Sequence, residues 1–145
     1  MRILFLSRWY PQPPDNGSKI RILNLLRGLC ERHRVTLLSF RGAREGEACA
    51  ALPAPAPEEV RVCRYREFNP RSVRSLAGFF STAPRSLVYT HSSEMEGLIR
   101  QAVGKTQFDL VIASQLSMGA YYRAFRGIPA ILEEEELAMY CPWAC

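Results

Sequence analysis

The stretch from Met1 to Phe40 constrains the fold more than any other part of the chain. Its continuous apolar run Arg2–Ser7 (RILFLS) reads as a strand covered on both faces. A long loop follows, broken by Pro11, Pro13, Pro14 and Gly17. From Lys19 to about His33, the residues Ile22, Leu23, Leu26, Leu29 and Cys30 recur at three- and four-residue spacing, which predicts a helix with one buried stripe. Residues 34–40 (RVTLLSF) form the next apolar strand. Strand, helix and strand in that order build a parallel sheet, with a ligand crevice at the carboxyl ends of the strands. The turn also presents backbone N–H groups at a helix start, which suits an anion such as a phosphate.

The remaining elements extend this plan. Residues 41–57 are rich in Ala, Gly and Pro and read as a connection with one helical turn at most. Residues 60–65 (VRVCRY) alternate apolar with Arg, as a half-exposed strand does. Val73, Leu76, Phe79 and Phe80 beside Arg71 and Arg74 predict a short amphipathic helix at 72–80, and residues 87–89 carry no clear signal. A helix is expected at 92–103, with Met95, Leu98, Ile99 and Ala102 on one side. Residues 108–114 (FDLVIAS) read as a strand, 117–125 as a helix and 128–132 as a further strand. The fold class is therefore α/β: a Rossmann-like open parallel sheet with helices on both faces. At 145 residues the chain fits one domain, burying about 68–70% of its unfolded surface. Its last residues, Cys141-Pro142-Trp143-Ala144-Cys145, read as an interrupted chain.

Charge and cysteine usage exclude several classes. The net charge of +5 is carried almost wholly by arginine, Lys19 and Lys105 being the only lysines. Arginine suits phosphate and carboxylate partners, but no clustered basic helix is present, so nucleic acid is not an expected partner. The five cysteines make no metal-ligand pattern: Cys141 and Cys145 are close, while His33 and His91 are distant in sequence. Cys30 and Cys63 fall on apolar faces as small core residues. The odd count and the lack of a signal segment point to a reducing, cytoplasmic compartment. No run approaches the ~18 apolar residues of a membrane span. Neither G-x-x-x-x-G-K-[ST] nor a G-x-G-x-x-G after the first strand occurs, which counts against an NTPase and an NAD-dependent enzyme.

Candidate site residues gather at the strand ends. Gly17 allows close ligand approach and Ser18 can cap the helix, although a plain turn needs the same residues. Lys19 and Arg21 sit in the first helical turn, where the macrodipole disfavours each cation by roughly 0.3–1 kcal/mol. An anion bound there would offset the repulsion, so Asn16, Gly17, Ser18 and Lys19 form the expected phosphate site. Trp9 and Tyr10 follow the first strand and either stack on a sugar or lipid chain or cover the sheet edge. His91, Ser114 and Gln115 are the candidate catalytic groups, with Gln115 also a candidate acceptor contact. Ser114 and Gln115 stand at a strand's carboxyl end, whereas His91, in Thr-His-Ser-Ser, is either a polar partner or a surface residue. The Glu133 to Glu136 run reads as a solvated face, with an acceptor-hydroxyl contact as the sharper alternative. Arg71, Arg74, Phe79 and Phe80 either meet anionic lipid headgroups or pack on the sheet.

Three pieces resemble the amino-terminal half of family 4 glycosyltransferases, two-domain enzymes of the GT-B type. They are the loop Tyr10-Pro11-Gln12-Pro13-Pro14-Asp15-Asn16-Gly17-Ser18, the helix carrying Asn24-Leu25-Leu26-Arg27-Gly28-Leu29 that leads into His33-Arg34-Val35-Thr36-Leu37, and the paired segments Phe108-Asp109-Leu110-Val111-Ile112 and Gly127-Ile128-Pro129-Ala130-Ile131-Leu132. The resemblance implies a retaining transferase that moves a sugar from a nucleotide donor to a saccharide or lipid-linked acceptor without a metal ion or other cofactor. Residues 1–145 would be its acceptor-side domain, leaning on the donor's phosphates, with the carboxy-terminal donor-binding domain absent. Two departures stand out: the family's paired glycines are Gly17-Ser18 here, and its histidine after the fourth strand is Ser114, followed by Gln115.

The expected function is thus the amino-terminal part of a glycosyltransferase of polysaccharide biosynthesis, cytoplasmic or peripheral at the inner face of the membrane. Alone, this part is expected to be inactive, needing a donor-binding domain in cis or in trans. The rival reading is a non-catalytic acceptor-binding or membrane-recruiting subunit of a split glycosyltransferase.

Overall fold

The computed structural model describes residues 1–42, 51–65 and 90–133. The apolar run at the start becomes β1 (Arg2–Ser7), and its residues from Ile3 to Ser7 are all buried. A strand this apolar on both sides must lie inside a sheet, and β1 is the central strand of five. The others are β2 (Arg34–Arg41), β3 (Glu59–Arg64), β4 (Leu110–Ser114) and β5 (Ala130–Glu133), all parallel, in the spatial order β3-β2-β1-β4-β5. The chain moves outward from β1 to β2 and β3, then returns to the other side of β1 for β4 and β5. The order therefore reverses between β1 and β4.

The pleat sends alternate β1 residues into two cores. Ile3 and Phe5 pack with Val35, Leu37 and Ile112 under Ile22 and Leu26 of helix α1 (Gly17–Cys30). Leu4 and Leu6 pack with Leu38, Phe40, Val111 and Ala113 under Met95, Ile99 and Ala102 of helix α2 (Ser93–Lys105). Helices thus cover both faces, as expected for the doubly wound class. β3 is half exposed as its sequence predicts, but Val60 is exposed and Arg61 partly buried, so the buried residues are Cys63 and Tyr65 rather than the valines. β5 is a more exposed edge than its apolar sequence predicts, since Ile131 and Leu132 are half exposed.

Helix α1 begins two residues earlier than its periodicity suggests, and its cap is Asn16 rather than Ser18. Asn16 is extended, and its side-chain oxygen accepts the Lys19 N–H at 2.9 Å. A short amide acceptor in that conformation reaches the third N–H of the helix. Asn16→Ala is therefore expected to lower stability by about 1 kcal/mol, read as a shift of the urea midpoint at unchanged slope. Helix α2 is capped by the Ser92 hydroxyl, which accepts from the Met95 N–H. Glu94 and Glu96 in its first turn and Lys105 in its last complement the dipole.

The single helix expected at 117–125 is instead two short pieces, α3 (Leu116–Gly119) and a 3-10 turn (Tyr122–Phe125). Packing explains the break. A Cβ on Gly119 would lie 3.2 Å from the Leu132 side chain, so the chain passes tightly under β5. Beyond it, Tyr121, Ala124 and Phe125 turn into the α2-side core. The amphipathic segment at 72–80, with Arg71, the 87–89 stretch and Glu134 to Glu136 lie outside the described residues.

Candidate functional site at the carboxyl edge of the sheet

At the carboxyl edge, one residue from each of four strands falls in a row. Ser39, Ser7, Ser114 and Glu133 are successive register partners across β2, β1, β4 and β5. They share the parity of Phe5 and Ile112, so the row lies on the α1 face. The three serines are at most 1% exposed. Ser7 is satisfied: its hydroxyl donates to the Trp9 carbonyl at 2.8 Å and accepts the Trp9 N–H at 3.2 Å. Ser114 is not, because its hydroxyl is buried and has no partner among the described residues. It sits on the strand next to β1 at the reversal of strand order, the place where open α/β sheets bind ligands.

The residue after Ser114 is strained. Gln115 has φ 75° and ψ 148°, a region that essentially only glycine enters freely, at a cost of order 1–3 kcal/mol. Its backbone is clamped on both sides, with its N–H donating to the Glu133 carbonyl at 2.6 Å and its carbonyl accepting the Met118 N–H at 2.9 Å. Among the described residues its side-chain oxygen is buried without a partner. One corner thus combines a strained backbone with two polar side chains, Ser114 and Gln115, that no described group satisfies.

The start of α1 differs from the simple anion cradle its sequence suggests. The bend is open to solvent, with Asp15, Asn16 and Gly17 exposed. Two of its amides are already used, since Asn16 accepts the Lys19 N–H through its side chain and the Ile20 N–H through its carbonyl, the latter at 3.0 Å. Lys19 is buried, its ammonium 3.2 Å from Asp15, and Arg21 pairs with Glu133. The carboxylates that offset these first-turn cations therefore come from the protein itself.

Trp9 is half-buried, but Tyr10 lies in the α1-side core at 4% exposure, with its N–H donating to the Phe40 carbonyl. The loop after β1 crosses the end of β2, which turns Tyr10 inward rather than toward the crevice. At the same edge, the Arg8 guanidinium lies over two rings, 4.8 Å from the centre of Trp9 and 5.0 Å from that of Tyr65. Sequence reasoning missed Arg8; its adjacency to Trp9 at a strand end was the available signal, and Tyr65 was not.

His91 belongs to the α2 face, apart from the serine row. Its ring stacks on Tyr121 at 4.9 Å and its Nε2 lies 3.5 Å from Glu96. Glu96 is held below the usual carboxylate range mainly by its hydrogen bond from Arg100. The Tyr121 hydroxyl accepts the Ser92 N–H at 2.9 Å, and burial pushes this phenol up to about 12. Phe40, Tyr65, His91, Ser117 and Tyr121 line a cavity of about 10 Å³, room for roughly one water. A larger hollow of about 370 Å³ between Arg2, Arg34 and Asp109 opens at the amino edge, away from the strand ends that carry chemistry. Among the described residues no group of His, Cys, Asp or Glu could hold a metal ion, and no helix is long and apolar enough to cross a membrane.

Sheet order and two-sided helix cover define a Rossmann-like open α/β domain. A solved structure with this fold is that of Phytolacca americana UGT2 complexed with UDP-2fluoro-glucose and pterostilbene, with TM-score 0.55 and 18% identity. The likeness covers 95% of this chain and 31% of that one, so the present chain spans about a third of that structure's length. No protein-family model matches the chain, and no curated protein matches it in sequence.

Proposed function

We propose that this chain is the amino-terminal, acceptor-side domain of a glycosyltransferase, which moves a sugar from a nucleotide-sugar donor to a saccharide or lipid-linked acceptor. The observation that carries the reading is the corner at Ser114 and Gln115, where strain and unsatisfied polar groups coincide at the strand reversal. Hydroxyl-rich ligands supply the donors and acceptors that such a corner lacks. A fold likeness to a protein solved with a UDP-sugar analogue supports the same direction. Membership of family 4, a retaining course and independence of metal enter through the sequence resemblance, as does a cytoplasmic site of action with peripheral membrane contact. A donor-binding domain, in cis or in trans, completes the catalyst.

In this reading Gly17 and Ser18 meet the donor diphosphate at the positive end of α1, stabilising charge on the leaving group. Lys19 joins them by exchanging Asp15 for a phosphate oxygen, which the exposure of Asp15 permits. Trp9 and Gln115 contact the acceptor, and Tyr10 supports them from beneath.

The test is an amide-resolved NMR titration of the chain with UDP, UDP-glucose and GDP-mannose. Shifts at Gly17, Ser18 and Gln115 are expected. Lys19→Ala should weaken binding about tenfold, and Asp15→Asn should tighten it about twofold by freeing the ammonium. Nucleotides that leave these amides unmoved, or bind both variants as they bind the parent, would remove the α1 start from the proposal.

A further inference from the structure

We propose that Arg8 forms an oxyanion subsite, suited to a phosphate group, at the carboxyl edge of the sheet. The subsite goes beyond the transferase reading, and only the assignment of its phosphate to donor or acceptor rests on that reading. Arg8 directly follows the last residue of β1 and lies between the two cores, since Trp9 packs against the α1-side cluster and Tyr65 belongs to the α2-side one. There its guanidinium rests over Trp9 and Tyr65. Two ring faces attract the cation and fix its plane, leaving its N–H edges as the direction in which it can donate.

What the guanidinium lacks is an acceptor. Its Nε is buried and unpartnered, and among the described residues no carboxylate lies within ion-pair distance of it. The other cations close to the crevice are compensated, Lys19 by Asp15 and Arg21 by Glu133. A cation that is oriented, partly desolvated and uncompensated is the arrangement that a planar fork needs for two-point contact with an oxyanion. Tyr65, the ring that carries Arg8, also walls the small cavity lined by Ser117 and Tyr121. Tyr65 itself is held edge-on against Phe40 at 5.5 Å, so the platform is fixed from behind.

A phosphate at this place has two sources, the diphosphate of a nucleotide donor or the phosphate of an acceptor. The test uses the full chain, with inorganic phosphate, glycerol 3-phosphate and UDP as probes, and reads the Arg8 Nε–H resonance. Inorganic phosphate and glycerol 3-phosphate should each shift that resonance saturably, with affinity lowered about tenfold or more in Arg8→Gln. Arg8→Lys keeps the charge but loses the fork, so it should also bind several-fold more weakly. UDP competing with glycerol 3-phosphate assigns the subsite to the donor; independent binding of both assigns it to a phosphorylated acceptor. An Arg8 resonance unmoved by all three probes, or undiminished binding in folded Arg8→Gln, overturns the subsite. Shifts confined to Gly17 and Ser18 would do the same while leaving the transferase reading intact.

Discussion

Phe5→Ala is expected to cost about 3–5 kcal/mol of unfolding free energy, a large share of what a domain of this size possesses. Phe5 is fully buried on the central strand, and its ring lies between β1's two neighbours and the Ile22 and Leu26 stripe of α1. Truncation removes apolar contact and leaves a hole that the flanking strands cannot close, because both are fixed by backbone ladders. Urea unfolding should show a far lower midpoint at similar slope. Ile131→Ala on the half-exposed edge strand is the matched control, with an expected loss of about 1 kcal/mol or less. Equal losses at the two positions would contradict the assignment of β1 to the centre.

Stability should also fall steeply on the alkaline side. Burial pushes the Cys63 thiol from 9.0 up to about 12, with Glu94 adding to the effect, and pushes the Tyr121 phenol from 10.0 up to about 12. Both groups hold their protons more tightly when folded. Their contribution is therefore complete below about pH 9, erodes as the unfolded chain deprotonates, and is gone above about pH 12. Each tenfold difference in proton affinity between the folded and unfolded chain is worth about 1.4 kcal/mol, so the two groups together put several kcal/mol at stake across this range. Tyr121→Phe should lower stability near neutrality by about 1 kcal/mol, since the Ser92 N–H loses its acceptor. It should then lose less than the parent as pH rises, so that the two curves converge. Parallel curves across the alkaline range would show that Tyr121 does not govern the transition.

The parts of this fold legible in sequence are those whose burial is one-dimensional. Arg2–Ser7 and residues 34–40 are apolar without interruption, and the α1 stripe repeats at helical spacing, so central strands and a covering helix followed directly. Met95, Ile99 and Ala102 were readable for the same reason. The site was legible only as a location. Ser114 and Gln115 stand at the expected strand end, but the strain at Gln115 arises from being clamped between Glu133 and Met118, which no local pattern encodes. Tyr10 and Trp9 are adjacent and similar in type, yet the crossing of the loop over β2 buries one and leaves the other half open. Lys19 and Arg21 looked uncompensated because Asp15 precedes the helix and Glu133 is distant in sequence. Arg8 needs Tyr65, more than fifty residues away, to become a site at all.

The reversal of strand order has a consequence for the nascent polypeptide. The Arg2 N–H is clipped to Asp109 across 107 residues of chain, and Ser7 waits for Ser114. At about 5–20 residues per second, a ribosome needs roughly 5–20 s to deliver that second neighbour. Throughout that interval one flank of the most apolar strand stays unladdered, so slower decoding between these points should enlarge the window for chaperone capture or aggregation.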